Sequence, residues 1–324
     1  MQMGIDVGYG QVKGVSEKGK KVIFPSLVAP LTKGPLENDM KHKVFIQCSS
    51  VSMRESAVGD GARYSKLIQQ LSGQEKPTEA HDILLLTAIA LLAEDTKEPI
   101  SLGVGLPLAY YAAQKDQLKQ RLSCMAGKVS VDGSLQHQVS FSRVEVFPQG
   151  TGAIAASGID YSSSGRIGLI DIGTYTTDFV LLEIENGRKS FIPDGCGSRE
   201  IGAYQLFESL DKAFQAKAGM PLPIREYSRT LDNALQQKPL CFDGKEIHLH
   251  KTLEYAMEEL TDSVMSQVRA VWGDWARFLD YTILAGGGSV VLHDRLKNKL
   301  SNPVMAKDPV FANAWGYLEY VKAS

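Results

Sequence analysis

The stretch Gly4-Ile5-Asp6-Val7-Gly8-Tyr9-Gly10-Gln11-Val12-Lys13 decides the reading of this chain. A second stretch, Leu169-Ile170-Asp171-Ile172-Gly173-Thr174-Tyr175-Thr176-Thr177-Asp178, repeats its design. In each, an apolar strand ends in Asp-x-Gly and turns at once into another strand-like run. Glycine lets the backbone approach an anion closely and permits positive φ. Successive backbone N–H groups in such a turn form an anion-binding concavity. An aspartate at the strand end cannot bind phosphate itself, but it can hold a hydrated Mg²⁺ that does. Lys13 would supply positive charge for phosphates. Either Asp-x-Gly alone reads more simply as a hairpin turn. Two copies in a chain of 324 residues point instead to two related domains, each contributing one phosphate-binding hairpin to a shared cleft.

Outward from these hairpins, strand-like and helix-like segments alternate, the pattern of an α/β protein. Ala80 to Glu94 and Ala109 to Ala126 read as helices flanking a buried strand, Ile100 to Leu106. Lys128 to Val131 and Gln138 to Phe147 read as a hairpin around Asp132 and Gly133. A small-residue helix, Gly150 to Gly158, precedes the second Asp-x-Gly strand, and Glu200 to Ala218 reads as a helix. Residues 220 to 250, with Pro221, Pro223 and Pro239, read as irregular. From Leu253 a long helix carries one apolar stripe: Leu253, Met257, Leu260, Val264, Val268, Val271, Trp275 and Phe278. It leads to a strand, Tyr281 to Ala285, and a last helix covers about Phe311 to Val321. The expected domains are 1–158, with an insertion at about 26–80 and completion by the terminal helix at about 308–324, and 159–307, with an insertion at about 205–250.

Two further elements carry chemistry. Gly286-Gly287-Gly288 follows a buried strand and precedes a helix, where glycines let a flat group lie against the backbone; a flexible turn is the simpler alternative. Gln149 closes a strand just before the small-residue helix. It reads either as a group that orients a water molecule, as glutamines do in phosphoryl-transfer sites, or as an exposed residue at a helix start.

Composition narrows the functions. Lys plus Arg number 35 and Asp plus Glu 37, for a net charge of -2. Without a basic excess, direct non-specific nucleic-acid binding is not the expected activity. The most apolar run, Ile83 to Ala93, is shorter than the about 20 residues a membrane span needs. MQMGIDVG lacks the basic and apolar regions of a signal peptide. The four cysteines form no CxxC pair, and His248 and His250 have no third ligand nearby. These features together predict a cytoplasmic protein with no membrane partner.

In order and spacing, these four elements, with a fifth near Ala312 to Gly316, resemble those of the actin-like ATPase superfamily. The pattern is phosphate 1 (Asp6 to Lys13), connect 1 (Gln149 to Ser157), phosphate 2 (Asp171 to Asp178), adenosine motif (Ala285 to Ser289) and connect 2 (near Ala312 to Gly316). The strings DVGYGxxK, PQGTGA and ANAWGY are most similar to the ParM/StbA plasmid-segregation group and its archaeal relatives. The resemblance implies an α/β, actin-like (ribonuclease-H-like) two-domain fold, with a nucleotide cleft between the domains and small inserted outer subdomains. It implies Mg-ATP/ADP as cofactor, with Asp6 and Asp171 holding Mg²⁺ through water and Gln149 positioning the attacking water. Gly8, Tyr9, Gly10, Gly173, Thr174 and Tyr175 would then meet the phosphates with Lys13, and Gly286, Gly287 and Gly288 the adenosine. Actin has Ser where Tyr9 stands, so any side-chain contact there must differ. Glu254 is the candidate for the ribose and adenine clamp.

By the same resemblance the chain is expected to hydrolyse ATP and to polymerise with itself into dynamic filaments for plasmid or DNA segregation, with a DNA-bound adaptor as the link to cargo. The alternative is a metabolic, sugar-type kinase of the same fold. That enzyme would need an acceptor pocket and a catalytic aspartate besides the nucleotide residues.

Overall fold

The computed structural model describes residues 1–31, 41–48, 50–52, 55–71, 78–94, 97–159 and 165–323. Parts of the expected first insertion, 32–40 and 72–77 among them, lie outside the described residues.

Two sheets share one plan. In the first, the strands run in the spatial order Phe141–Pro148, Ile100–Leu106, Gln2–Val7, Gln11–Ser16, Lys21–Pro25. In the second, the order is Arg188–Phe191, Thr177–Glu185, Gly165–Ile172, Tyr281–Ala285, Pro303–Met305, with Gly197–Arg199 also paired to Thr177–Glu185. Each Asp-x-Gly strand is central. It makes antiparallel pairs with the hairpin partner that follows and a parallel pair with a strand returning from a helical crossover. Being buried on both faces, the central strands are apolar apart from Asp6 and Asp171: Met3 to Val7 and Ile167 to Ile172 are all buried.

A third, six-stranded sheet combines four strands of the first insertion with two from residues 127–139. Gly127–Val131 pairs with Lys43–Cys48 at its middle, and His137–Val139 forms its edge. The expected hairpin around Asp132 and Gly133 is present, with both residues at positive φ. It ends at Val139, however. Phe141–Pro148 leaves that sheet and runs parallel to Ile100–Leu106, which brings Gln149 to the cleft. Both segments show the same alternation, so the switch of sheets after one residue has no local signature.

The helix Glu79–Leu92 lies under the first and third sheets. Thr78 caps it, accepting a bond from His81 N at 3.2 Å. It is buried on nearly every side from His81 to Ala90, which explains a run with little amphipathic pattern. In the second unit, His250–Trp272 buries Leu253, Met257, Leu260, Val264 and Val268 as the stripe predicts. The stripe stops there. Gly273 takes φ +52° and ends the helix, a short 3₁₀ turn follows, and Trp275 and Phe278 are exposed. Trp272, not part of the stripe, is the buried ring, donating from Nε1 to Gly195 O at 3.0 Å.

Two other expectations are corrected. The helix begins at Tyr204 instead of Glu200, because Gly197–Arg199 is drawn into the sheet. Residues 220–250 contain a helix, Tyr227–Leu235, and a hairpin of Leu240–Phe242 with Lys245–Ile247.

The last helix, Ala312–Ala323, packs on Gln2–Val7 and Ile100–Leu106. It also crosses the short helix Thr151–Ala155 at glycines: a Cβ on Gly316 would lie 2.0 Å from Gly152 O. No larger residue fits this crossing, and it sets the helix start, with Asn313, over the cleft. Among the described residues no helix is long and apolar enough to cross a membrane.

Candidate functional site

The two Asp-x-Gly turns close in the same way. Gly8 N donates to Gln11 O at 3.1 Å, and Gly173 N to Thr176 O at 2.8 Å. Their tips meet across the cleft. A Cβ on Gly10 would stand 2.1 Å from Thr174 Oγ1, so glycine is what allows the approach. The Tyr9 and Tyr175 rings meet edge to face with centroids 6.1 Å apart.

Behind the tips lies a cavity of about 40 Å³ whose walls include Asp6, Lys13, Gln149, Asp171, Asp178 and Asn313. Asp6 accepts from Gln149 Nε2 at 2.7 Å and faces Lys13 Nζ at 3.6 Å. That lysine sits directly opposite it in the hairpin register. Asp171 accepts from Asn313 Nδ2 at 2.6 Å, and Asn313 Oδ1 accepts from Gly150 N at 2.9 Å and Ala153 N at 3.2 Å. One amide thus ties the last helix, the small-residue helix and the second hairpin together. Burial lifts the Asp171 carboxyl to about 6, and the Asp6 charge adds to the rise. Asn313 and Lys13 act in the opposite direction. Asp178, opposite Asp171 in register, is bonded to Ser198 Oγ.

A cavity of about 290 Å³ opens from this point over Gly287 and Gly288. Its far wall is Tyr204, Phe207, Ile224, Tyr227 and Leu231. Phe207 and Tyr227 are stacked at 5.4 Å. Arg63, on the 3₁₀ turn Gly59–Tyr64 of the insertion, reaches over to Ser228 Oγ at 3.3 Å. The three glycines divide in role. Gly286 takes φ +81°, and a Cβ there would stand 2.4 Å from Asp171 Oδ1; a Cβ on Gly288 would strike Ile172. A Cβ on Gly287 would meet nothing within 4 Å, so its bare backbone faces open space. The buried Ser289 Oγ beside it has no hydrogen-bond partner among the described residues.

All the sequence-derived candidates come together here except one. Glu254 is exposed, pairs with Arg295 and lines neither cavity. Sequence reasoning missed Asn313, whose only signal was an amide among the small residues of ANAWG. It also missed the aromatic wall, because Tyr227 fell in a stretch read as irregular.

The residues suit a magnesium nucleotide. Asp6, Asp171 and Asp178 against Lys13 leave a surplus of negative charge in the small cavity, so a polyphosphate needs a divalent cation to enter it. No group of three or more His, Cys, Asp or Glu that could hold a metal ion exists among the described residues. The open glycine backbone and aromatic wall suit a flat base.

Comparison with known proteins gives matches along nearly the whole chain. The family "Actin like proteins N terminal domain" matches residues 4–152, and "Archaeal actin homologue MreB-like, C-terminal" matches 169–298. An archaeal actin homolog of Thermoplasma acidophilum is 22 % identical over 331 aligned positions, covering 99 % of both chains. A ParM from Clostridium botulinum, solved as a 15-stranded filament, superposes with a TM-score of 0.88 at 29 % identity, over 100 % of this chain and 99 % of that one. The archaeal actin homolog Ta0583 in complex with ADP superposes with a TM-score of 0.82 at 21 % identity, over 100 % of this chain and 99 % of that one.

Proposed function

For a chain that belongs to the actin-like superfamily, we propose that the cleft binds Mg-ATP and hydrolyses it to ADP and phosphate, and that the nucleotide state controls assembly of the chain into filaments. The observation that carries this reading is the meeting of Asp6, Gln149, Asp171 and Asn313, drawn from distant parts of the sequence, around one small cavity with Lys13.

Asp6 and Asp171 would hold the hydrated Mg²⁺, which when bound neutralises the phosphates. Backbone N–H groups at Gly8 to Gly10 and Gly173 to Tyr175, with Lys13, would cradle the phosphates. Gln149 gives its N–H to Asp6, which orients the amide and leaves its carbonyl oxygen to accept from an attacking water. Gly287 and Gly288 with Phe207 and Tyr227 would hold the base. These groups belong to two domains, 1–158 completed by 308–324, and 159–307. ATP touching both hairpins therefore favours a closed arrangement, and phosphate release removes that bridge. Filament assembly is supported by the ParM filament at 29 % identity. Plasmid or DNA segregation through a DNA-bound adaptor is the cellular role proposed, in keeping with the absence of a basic excess.

The test is sedimentation with phosphate release in the same samples, in Mg-ATP and in Mg-ADP without any acceptor. Critical concentrations differing at least about tenfold, or about 1.4 kcal/mol, support the reading. Equal values, or no polymer with either nucleotide, overturn it in favour of a kinase.

A further inference from the structure

A third cavity, of about 450 Å³, opens on the other side of Thr174 and Tyr175. Its walls are the rings of Tyr9, Tyr110, Tyr175 and Tyr204, and the carboxylates Glu200 and Glu208 line it with them. Neither Gly287 nor Gly288 reaches it, and no lysine or arginine lines it among the described residues. The nucleotide reading uses the backbone of Tyr9, Thr174 and Tyr175 and places no ligand in this cavity.

Three observations fix the chemistry of an occupant. First, the rings form a connected wall: Tyr175 meets Tyr9 edge-on at 6.1 Å and lies 4.6 Å from Tyr204 at 35°. Aromatic faces carry partial negative charge and attract cations, above all organic ammonium groups. Second, the Tyr9 and Tyr175 phenols stay neutral. Burial first, then the neighbouring Tyr110 and the charges of Asp178 and Glu200, push the Tyr9 hydroxyl up to about 12; burial, then Tyr204 and Glu208, do the same for Tyr175. Third, the charged side chains lining it among the described residues are both acidic. The first N–H groups of the helix Tyr204–Ala218 are already spent: Ala203 N donates to Gly173 O at 3.0 Å, Tyr204 N to Thr174 O at 2.7 Å, and Gln205 N to Gly202 O at 3.1 Å. With two glutamates and no cation, a phosphate or carboxylate would be repelled. A bare metal ion is no better suited, since no set of three direct ligands exists among the described residues. The volume is that of a small-molecule site.

The geometry points to a binding site for a small organic cation, an alkylammonium of the polyamine type, in the cavity between Tyr9, Tyr110, Tyr175 and Tyr204. The ammonium lies over the rings and the two glutamates supply the opposing charge.

The test is calorimetric titration of the full chain without nucleotide, so that its outcome does not depend on the ATPase reading. Spermidine and tetramethylammonium are the cationic probes and glucose is the neutral one. Both cations should bind saturably and glucose should not. The double variant Glu200→Gln with Glu208→Gln, at exposed positions, should weaken spermidine at least about tenfold, as should Tyr110→Leu. Each variant's melting curve reports its folding. The proposal is overturned if neither cation saturates by about 10 mM, where binding free energy is weaker than about 3 kcal/mol. It is equally overturned if glucose binds as well as spermidine, or if the folded double glutamine variant binds spermidine unchanged.

Discussion

The two Asp-x-Gly hairpins share a backbone and differ in charge. In the first, the residue opposite Asp6 is Lys13, and Gln149 adds a hydrogen bond. In the second, the residue opposite Asp171 is another carboxylate, Asp178, and the hydrogen bond to Asp171 comes from the neutral amide of Asn313. One hairpin therefore carries its own counter-charge. The other holds a buried carboxyl raised to about 6, a group whose charged form is costly until a cation arrives. A repeated scaffold thus supplies two unlike halves: a carboxylate paired with a lysine, and a desolvated one held by a neutral amide. Sites commonly trade stability for function in this way.

Asp171→Asn tests that contrast most sharply. It keeps the shape and can still accept from Asn313, but it removes the charge that would hold Mg²⁺. Phosphate release should fall about 100-fold or more. The nucleotide-free protein should nonetheless melt higher at pH 7, since a buried charge is gone. Asp6→Asn should also lose activity but melt lower, because it leaves Lys13 partly buried without its partner. Melting curves that shift in the same direction for both would break the comparison.

The pH dependence follows with its sign. The Asp171 carboxyl titrates at about 6 in the folded chain against an ordinary 3.8. Between those values the folded state holds the proton and the unfolded state does not. The stabilisation is therefore complete below about pH 4 and is lost as pH rises through about 6, up to roughly 3 kcal/mol in all. Denaturant titrations of the nucleotide-free wild type at pH 5 and pH 7, compared with Asp171→Asn, isolate this group. A wild-type-to-variant difference that does not change between the two pH values would mean that Asp171 is not desolvated.

Gln149→Ala should slow hydrolysis about 10- to 100-fold with a smaller loss of nucleotide affinity, and filaments should outlast those of the wild type. Polymer lifetime read beside phosphate release checks this. Equal losses in binding and turnover would assign Gln149 to structure alone.

The mildest effects belong to the cavity proposed for the base, whose aromatic wall comes from the second unit and whose opposite side is lined by Gly10, Gln11, Lys13 and Pro25 of the first sheet. Phe207→Ala should weaken ATP binding about tenfold through the lost stacking face, with turnover at saturation little changed. Glu254→Ala should change affinity less than about twofold, in line with an exposed ion pair. A fluorescent nucleotide titration ranks the two, and the reverse order would return Glu254 to the clamp.

Much of this arrangement could be read along the chain. Asp6, Lys13, Gln149 and Asp171 were legible because each stands at a fixed offset from a turn or a strand end. Asn313 was not, because its partners Gly150 and Asp171 lie 163 and 142 positions away. Period-two alternation says that a strand is half buried, not which sheet it joins, so nothing local marks Phe141–Pro148 as the partner of Ile100–Leu106. The helical stripe failed at Trp275 because Gly273 resets the phase at φ +52°.

What the amino-acid order determined by itself was therefore local: two apolar strands broken by Asp-x-Gly turns, the helices between them, and a balance of charge without a basic excess. Turn chemistry and side-chain periodicity act over a few residues, so they survive in one dimension. Only the tertiary structure decided which carboxylate gets a lysine and which a neutral amide, that glycines 286 and 288 serve packing while Gly287 lies open, and that tyrosines from four segments line one acidic cavity. Those outcomes depend on how buried surfaces dock and on what solvent they exclude. Charge and hydrogen bonding take their final value only after that exclusion.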